Sequence, residues 1–258
     1  MELPINRFKR RLKAGEQQIG LWCTVPDPSV VEALAGAGFD WIVLDTEHTP
    51  VEVSAVLPLL QAAAPHPVSC VVRPVVNDTA LIKRHLDQGA QTILLPYVQS
   101  RAEAEAAVRA VRYPPAGLRG VAGTMRAAGF GRVRDYTARA DAEICLLVQV
   151  ETGEALAQLD AIATTPGVDG VFIGPSDLAA SLGHPGNPGH PEVRAAILDA
   201  IARLAALGVP SGILTLDTGF ARDCMAAGTR FTAVGLDMAL LVGAADRLAA
   251  AFRAGAAR

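Results

Sequence analysis

The chain has 258 residues, of which 51% are hydrophobic and 19% are charged, and its formal net charge is −3. This length and apolar content suffice for a large core and match one α/β barrel, which commonly takes about 250 residues, so we expect a single domain over residues 1–258. The weak negative charge gives no electrostatic basis for binding nucleic acid or an anionic membrane, and small molecules are the expected partners.

The amino-terminal segment and the cysteines predict a cytoplasmic protein. The first residues carry scattered charges and no apolar stretch like that of a signal peptide. The longest uncharged stretch, Val53 to Val72, is interrupted by prolines and predicts a helix, a turn and a strand, not a membrane span. The four cysteines are far apart and form no CxxC pair, so neither a zinc cluster nor a disulfide scaffold is expected.

Short apolar runs alternate with helical patterns along the whole chain, which is typical of a parallel sheet built from βα units. The predicted strands are Ile19 to Cys23, Trp41 to Asp45, Val68 to Arg73, Thr92 to Pro96, Ile144 to Glu151, Gly170 to Ile173, Ser211 to Leu214 and Phe231 to Gly235. Eight such units, without a GxGxxG or GxxxxGK[ST] loop, favour an α/β fold of the (β/α)8 TIM barrel type over a doubly wound sheet. Asn6 to Ala14 is predicted as an extra N-terminal helix outside the barrel.

One connection is unusually long. Residues 113–141 run YPPAGLRGVAGTMRAAGFGRVRDYTARAD, far beyond the usual αβ loop of about 2 to 6 residues. We expect either a lid or binding loop near the pocket, or a surface excursion at a subunit contact.

Polar residues stand at or just beyond the carboxyl ends of the predicted strands. They are Asp45, Glu47, His48, Arg73, Gln149, Glu151 and Asp177. These ends form one rim in a parallel barrel, and that rim holds the active site. Because side chains alternate along a strand, Gln149 and Glu151 share one face, so we expect the polar side chains to converge.

Glu151 and Asp177 follow successive strands. A pair of hard oxygen ligands suits a divalent cation that must keep positions open for water and substrate. The alternative is that both acids cap helices or form surface salt bridges. We favour the metal site.

Three other residues at the rim each have two interpretations. His48 is either a base oriented by a nearby carboxylate or a packing histidine; the adjacent acids favour the base. Arg73 lies in an apolar run, where an unpaired guanidinium would be costly, so it binds an anion or pairs with an acid. Trp22 either shapes the pocket wall or belongs to the core.

Several other reactive residue types receive no catalytic role. His66, His85, His184 and His190 have no mutual spacing typical of a metal site. None of the three lysines lies on a predicted strand, which excludes a Schiff base facing the interior. Ser176 lies outside any GxSxG elbow, and its backbone amide at a helix start is a better anion-binding group than its hydroxyl.

These residues resemble the class II, metal-dependent pyruvate aldolases of the 4-hydroxy-2-oxoheptanedioate aldolase type, a group that includes enzymes similar to 2-dehydro-3-deoxyglucarate aldolase. The resemblance covers nearly the whole chain, through AGAGFDWIVLDTEH, VVRP, IKRHLDQGAQTILLPYVQ, RYPPAGLRGV, VQVET and GVDGVFIGPSDLAASLGHPGNPGHPEV. It implies a (β/α)8 barrel that reversibly cleaves 4-hydroxy-2-oxo acids to pyruvate, or hydroxypyruvate, and an aldehyde. It also implies a homo-oligomer, a trimer or a hexamer with an exchanged C-terminal helix, and a role in the catabolism of aromatic compounds.

The resemblance also assigns roles to residues. Glu151 and Asp177 would ligate Mg²⁺ or Mn²⁺, with Co²⁺ as a further candidate. Arg73 would hold the keto oxygen, the side chain of Gln149 and the amides of Ser176 and Asp177 would bind pyruvate, and Trp22 and Leu214 would line the substrate pocket. His48, oriented by Asp45, would move the proton of the 4-hydroxyl, with Glu47 in support. Asp87 would reach a neighbouring subunit's site.

Two stretches depart from the family pattern. Thr46 stands where glycine is usual, and Met125 to Arg134 diverges near the expected aldehyde site. Two alternative functions remain: a lyase of related coenzyme A thioesters, and a non-catalytic barrel that binds oxo acids.

Overall fold

The computed structural model describes residues 1–255 and contains a closed barrel of eight parallel strands in sequential order. The strands are β1 (Gln18–Cys23), β2 (Trp41–Asp45), β3 (Ser69–Arg73), β4 (Thr92–Leu95), β5 (Cys145–Val150), β6 (Gly170–Ile173), β7 (Ser211–Leu214) and β8 (Phe231–Leu236). The predicted fold class, an α/β (β/α)8 TIM barrel, is confirmed. Each predicted strand is present, with ends that shift by one residue at most.

Helices surround the barrel. They are α1 (Arg7–Lys13), α2 (Pro28–Ala35), α3 (Val53–Ala63), α4 (Thr79–Asp87), α5 (Arg101–Val111), α6 (Tyr136–Glu143), α7 (Gly153–Ala157), α8 (Leu159–Ala163), α9 (Pro175–Ser181), α10 (Pro191–Ala206), α11 (Thr218–Ala227) and α12 (Asp237–Gly255). The pattern GEALAQLDAIA predicted one helix, but the structure divides it at Gln158 into α7 and α8.

The predicted N-terminal helix, α1, closes the base of the barrel. Phe8 is fully buried, and its ring lies edge-on to Trp41 at 5.8 Å and to Phe231 at 5.7 Å between ring centroids. Leu12 joins the same interior cluster. Edge-to-face aromatic pairs of this kind add to the free energy gained by burying the rings.

Alternation along the strands decides which side chains reach the barrel mouth. Val43 packs in the interior cluster, whereas Leu44 packs between the strands and the helices. The next residue, Asp45, therefore points inward, and it is the register partner of Arg73 on β3. Gln149 occupies the equivalent inward position near the end of β5, two residues after the interior residue Leu147.

The long segment of residues 113–141 lies on the amino-terminal side of the barrel. It connects α5 to β5, contains a 3-10 turn and most of α6, and has a small core of its own around Tyr113 and Tyr136. Arg119, fully buried, lies over the Tyr113 ring at 4.5 Å and donates to Asp87 at 2.9 Å. None of its residues lines the cavity at the carboxyl ends of the strands, which favours the second alternative, a surface excursion, over a lid on the chain's own site.

The last helix, α12, leaves several large apolar side chains exposed. They are Met238, Leu240, Leu241, Val242, Leu248 and Phe252. Its first residue, Asp237, is buried and accepts hydrogen bonds from the Thr24 and Val25 amides at 2.7 and 2.9 Å, which ties the helix start to the loop after β1. Over residues 1–255, no helix is both long and apolar enough to cross a membrane.

Candidate active site

A cavity of about 290 Å³ opens at the carboxyl ends of the strands. Eight of the eleven residues that were given a site role line it: Trp22, Asp45, His48, Arg73, Gln149, Ser176, Asp177 and Leu214. The other three, Glu47, Glu151 and Asp87, do not line it. Larger cavities, of about 570 and 460 Å³, lie at the amino ends of the strands. We place the candidate site in the smaller cavity because charged side chains at or just beyond the ends of β2, β3 and β6 converge there, at the end of the barrel where such enzymes carry their active sites.

Arg73 and Asp45 form a buried bidentate pair. The guanidinium Nε and Nη2 atoms donate to the two carboxylate oxygens at 2.9 and 2.7 Å, and Arg73 lies 4.8 Å from the centre of the Trp22 ring. Burial opposes ionisation of Asp45, but the hydrogen bonds and charge of Arg73 outweigh it and lower the Asp45 pKa. The pairing also explains how a guanidinium is tolerated in an apolar strand.

Arg73 also contacts Glu47. Its remaining guanidinium nitrogen, Nη1, lies 2.7 Å from Glu47 Oε2. Burial, together with the charges of Asp45 and Asp177, raises the pKa of Glu47, although the Arg73 charge opposes this effect. Arg73 is thus held by two carboxylates, and the region around it remains rich in negative charge.

His48 is oriented differently from the expectation. Its side chain is 65% exposed, and Nε2 lies 3.8 Å from Glu47 Oε2, whereas both oxygens of Asp45 are engaged by Arg73. Asp45 therefore does not orient His48 in this structure; among the described residues, Glu47 is the carboxylate recorded beside the imidazole. The physical reason is that a buried guanidinium needs the Asp45 charge more than an exposed imidazole does.

Glu151 lies directly beyond the end of β5 and is 2% exposed. Its Oε1 atom accepts the Tyr97 backbone N–H at 2.8 Å, and its Oε2 atom accepts the Gln149 side-chain amide at 2.5 Å. Burial raises the pKa of Glu151 to about 7, and the negative charges of Glu47 and Asp177 contribute to the rise. The Tyr97 hydrogen bond and the Arg73 charge lower this pKa but do not offset the burial.

The sequence reasoning missed two residues that position Glu151. Tyr97 adopts left-handed backbone geometry at φ 56°, which directs its N–H at the carboxylate, and nothing in LLPYVQ signals this conformation. Gly174 follows β6, and a Cβ at that position would collide with the Glu151 side chain and come within 2.9 Å of Gln149 Nε2. A glycine immediately after a barrel strand was a visible signal of such a close approach.

Asp177 and Ser176 lie in the first turn of α9, which begins at Pro175, and both are exposed to the cavity. The first amides of a helix have no intrahelical acceptor, so the backbone N–H groups of these two residues are available to an anion. The Asp177 carboxylate is close enough to Glu151 to raise its pKa.

The apolar wall and the Thr46 departure also have structural explanations. Trp22 is both core and cavity wall: it is 2% exposed, its ring packs on Phe172 at 5.4 Å, and its Nε1 donates to Asp45 at 3.3 Å. Leu214, at the end of β7, lines the other side. Thr46 donates its hydroxyl to the Arg73 carbonyl at 2.7 Å and so links the ends of β2 and β3.

The profile of the HpcH/HpaI aldolase/citrate lyase family matches residues 18–244. The chain belongs to this family. The HpcH/HpaI chain is 62% identical over 252 residues to a pyruvate aldolase from Rhizobium etli, covering 98% of this chain and 99% of that protein. It is 57% identical over 241 residues to a hydroxypyruvate/pyruvate aldolase from Sagittula stellata, covering 93% and 95%.

A solved structure of an HpcH/HpaI aldolase/citrate lyase family protein from Burkholderia cenocepacia is similar throughout. Its TM-score is 0.93 at 42% identity, and the match covers 96% of this chain and 99% of that one. Family membership and the barrel fold therefore agree with the resemblance found in the sequence.

Proposed function

We propose that this protein is a divalent-metal-dependent aldolase that reversibly cleaves 4-hydroxy-2-oxo acids to pyruvate, or hydroxypyruvate, and an aldehyde. The observation that supports this proposal most strongly is the buried carboxylate of Glu151, whose pKa is raised to about 7. It lies near Asp177 and near the Arg73 guanidinium, which Asp45 holds in place, in a chain of the HpcH/HpaI family. Similar proteins named as pyruvate and hydroxypyruvate/pyruvate aldolases support aldol chemistry as the activity.

The donor set suits a divalent cation. Glu151 and Asp177 offer carboxylate oxygens, the ligands that Mg²⁺ and Mn²⁺ prefer, and Co²⁺ is also compatible. The buried Gln149 Oε1 atom has no hydrogen-bond partner within the described residues, which leaves a further polar atom beside these acids. When bound, the ion would supply Lewis-acid polarisation of the oxo acid's carbonyl.

Arg73 supports carbanion chemistry at C3 of the oxo acid. Its guanidinium is fixed by Asp45 and Glu47, so it would present a preorganised positive charge to the keto oxygen as negative charge develops there. The amides of Ser176 and Asp177 would hold the substrate carboxylate. Trp22 and Leu214 would confine the carbon chain.

His48 would move the proton of the 4-hydroxyl group, since its exposed position at the cavity rim leaves the imidazole accessible to substrate and water. Glu47 would orient it from 3.8 Å. In this proposal Asp45 acts through Arg73 instead of through His48.

We also propose that the chain forms a homo-oligomer. A helix that faces water rarely exposes as many large apolar side chains as α12 does. Burial against a second copy of the chain would remove these side chains from solvent. A homo-oligomer, trimeric or hexameric, is the expected state, and light scattering during size exclusion measures it. Asp87 is ion-paired with Arg119 and does not line the chain's own cavity, so its reach into a neighbouring site stays a prediction. The cytoplasmic location also stays a prediction.

The test is a condensation assay. Pyruvate or hydroxypyruvate is incubated with a panel of aldehydes and Mg²⁺ or Mn²⁺, and products are read by mass. We expect 4-hydroxy-2-oxo acids from at least one aldehyde, and their loss after chelation. Turnover of coenzyme A thioesters alone would select the lyase alternative, and oxo acid binding without product would select the non-catalytic barrel.

A further inference from the structure

The turn between α9 and α10, with the first turn of α10, brings together three side chains of types that can ligate metals. They are His184, His190 and Glu192, and one ligand atom from each lies within 4.8 Å of the others. The spacing along the chain had suggested no site, because five residues separate the two histidines.

The backbone of this turn is well fixed. The His184 N–H donates to Ala179 O at 2.7 Å, Asn187 N–H donates to His184 O at 3.0 Å, and His190 N–H donates to Asn187 O at 3.1 Å. Such a chain of turns holds the two histidine backbones at a constant separation. The turn thus fixes the backbone positions of both histidines, and bringing their nitrogens onto one ion would require only side-chain rotation.

The side chains already contact one another. His184 Nε2 lies 2.8 Å from Glu192 Oε2, and the His184 and His190 rings stack with centroids 3.5 Å apart at 16°. His190 Nδ1 accepts the Glu192 backbone N–H only weakly, at 3.3 Å. The nitrogen lone pairs of stacked rings lie in separate, nearly parallel planes, so binding one ion requires an imidazole to rotate. The long hydrogen bond makes rotation of His190 inexpensive.

We propose that His184, His190 and Glu192 bind a transition-metal dication of the Zn²⁺ class. Two imidazoles and one carboxylate are a ligand set typical of zinc with a fourth position open to water, and they differ from the all-oxygen set that Mg²⁺ prefers. The positive charge of Arg194, in the first turn of α10, would oppose binding of a cation. It is offset by an ion pair with Asp217, in which Nη2 lies 2.5 Å from Oδ2.

An ion bound here would stabilise the connection between α9 and α10. His184 follows α9, which begins with the active-site residues Ser176 and Asp177, and His190 is the N-cap of α10. Pro188 and Gly189, within the same turn, line a chamber of about 360 Å³ that shares Ser176 with the active-site cavity. A bound ion would join the two helices and hold this chamber wall.

The experiment measures metal binding directly and does not depend on aldolase activity. Zn²⁺ is titrated calorimetrically into full-length Glu151→Gln protein, in which the proposed Mg²⁺ site is removed, and Co²⁺ absorption reports a four-coordinate site with nitrogen ligands. We expect one ion per chain. We also expect His184→Gln and Glu192→Gln each to weaken binding by about tenfold or more, and Zn²⁺ to raise the thermal midpoint only when both residues are present.

The matched control is His66→Gln, which removes a half-buried histidine at the other end of the barrel and leaves the turn intact. It should bind Zn²⁺ as the parent protein does. Zn²⁺ binding that is unchanged in both His184→Gln and Glu192→Gln, or equally weakened in His66→Gln, would overturn the proposal. All of these side chains are partly or fully exposed, so the variants should fold.

Discussion

Glu151→Gln should stabilise the protein in the absence of metal while it abolishes metal binding. The carboxylate is buried and its pKa rises from the ordinary 4.5 to about 7, so the folded state binds a proton more tightly than the unfolded state does. The amide replacement removes the charge. It can keep both hydrogen bonds, because it can accept from Tyr97 and because the unpaired Gln149 Oε1 can turn to accept from it.

The magnitude follows from the pKa. The rise of the Glu151 pKa from 4.5 to about 7 corresponds to about 3 kcal/mol of unfolding free energy. In the unsubstituted protein, this contribution to the unfolding free energy is fully present below pH 4.5, where Glu151 is protonated in both states. It is lost progressively as the pH rises through 7, because the buried carboxyl group must then ionise. The difference between the variant and the parent should therefore be near zero at pH 4.5 and about 3 kcal/mol in favour of the variant at pH 8.

Urea unfolding with a chelator present, at a series of pH values, measures this difference. Adding Mg²⁺ at pH 8 should restore the parent by about 2.7 kcal/mol at a hundred times its Kd and leave the variant unchanged. Glu154→Gln, at an exposed position three residues along, serves as the control and should show neither effect. A parent whose stability is independent of pH between 5 and 8 relative to Glu151→Gln would refute the reasoning.

Three further substitutions test the site. Gly174→Ala should weaken Mg²⁺ binding about tenfold or more by calorimetry, because the new Cβ displaces Glu151. Arg73→Lys should lower kcat for aldol cleavage by about 10²-fold, because the ammonium keeps the charge but cannot hold Asp45 with two hydrogen bonds. Tyr97→Gly should raise the free energy of unfolding by about 0.5–1 kcal/mol in urea, because glycine relieves the left-handed backbone without removing the N–H.

Each of these predictions has an outcome that would contradict it, and Gly174→Ala also has a control. Gly153→Ala adds a Cβ with 3.5 Å of clearance and should leave Mg²⁺ affinity unchanged, so equal losses in both alanine variants would contradict the collision argument. Near-normal turnover by Arg73→Lys would show that charge alone suffices. A Tyr97→Gly protein that is less stable than the parent would mean that the exposed tyrosine ring contributes more than the strain costs.

The fold could be predicted because the strands repeat a local pattern. Each strand is a short apolar run, and the alternation that buries Val43 also directs Asp45 into the barrel mouth. The same rule predicted the position of Glu151, which lies one residue past the end of β5. Residues at the carboxyl ends of strands meet because of topology, so their convergence needed no knowledge of contacts.

Other features depend on tertiary contacts that no local pattern encodes. The sequence places His48 next to acids, but it does not show that Arg73 donates hydrogen bonds to both carboxylate oxygens of Asp45. The split at Gln158 has no glycine or proline to mark it. The segment of residues 113–141 precedes a strand, and topology alone could have placed it away from the chain's own active site.

The most direct test of the account is exchange of the pyruvate methyl protons with solvent. The reaction is followed by proton NMR in D₂O and needs neither an aldehyde nor a known physiological substrate. We expect exchange with Mg²⁺ or Mn²⁺, none after chelation, and none with Glu151→Gln under the same conditions. Absence of exchange with every divalent cation, or exchange that persists in the chelated protein, would contradict metal-dependent pyruvate chemistry at this site.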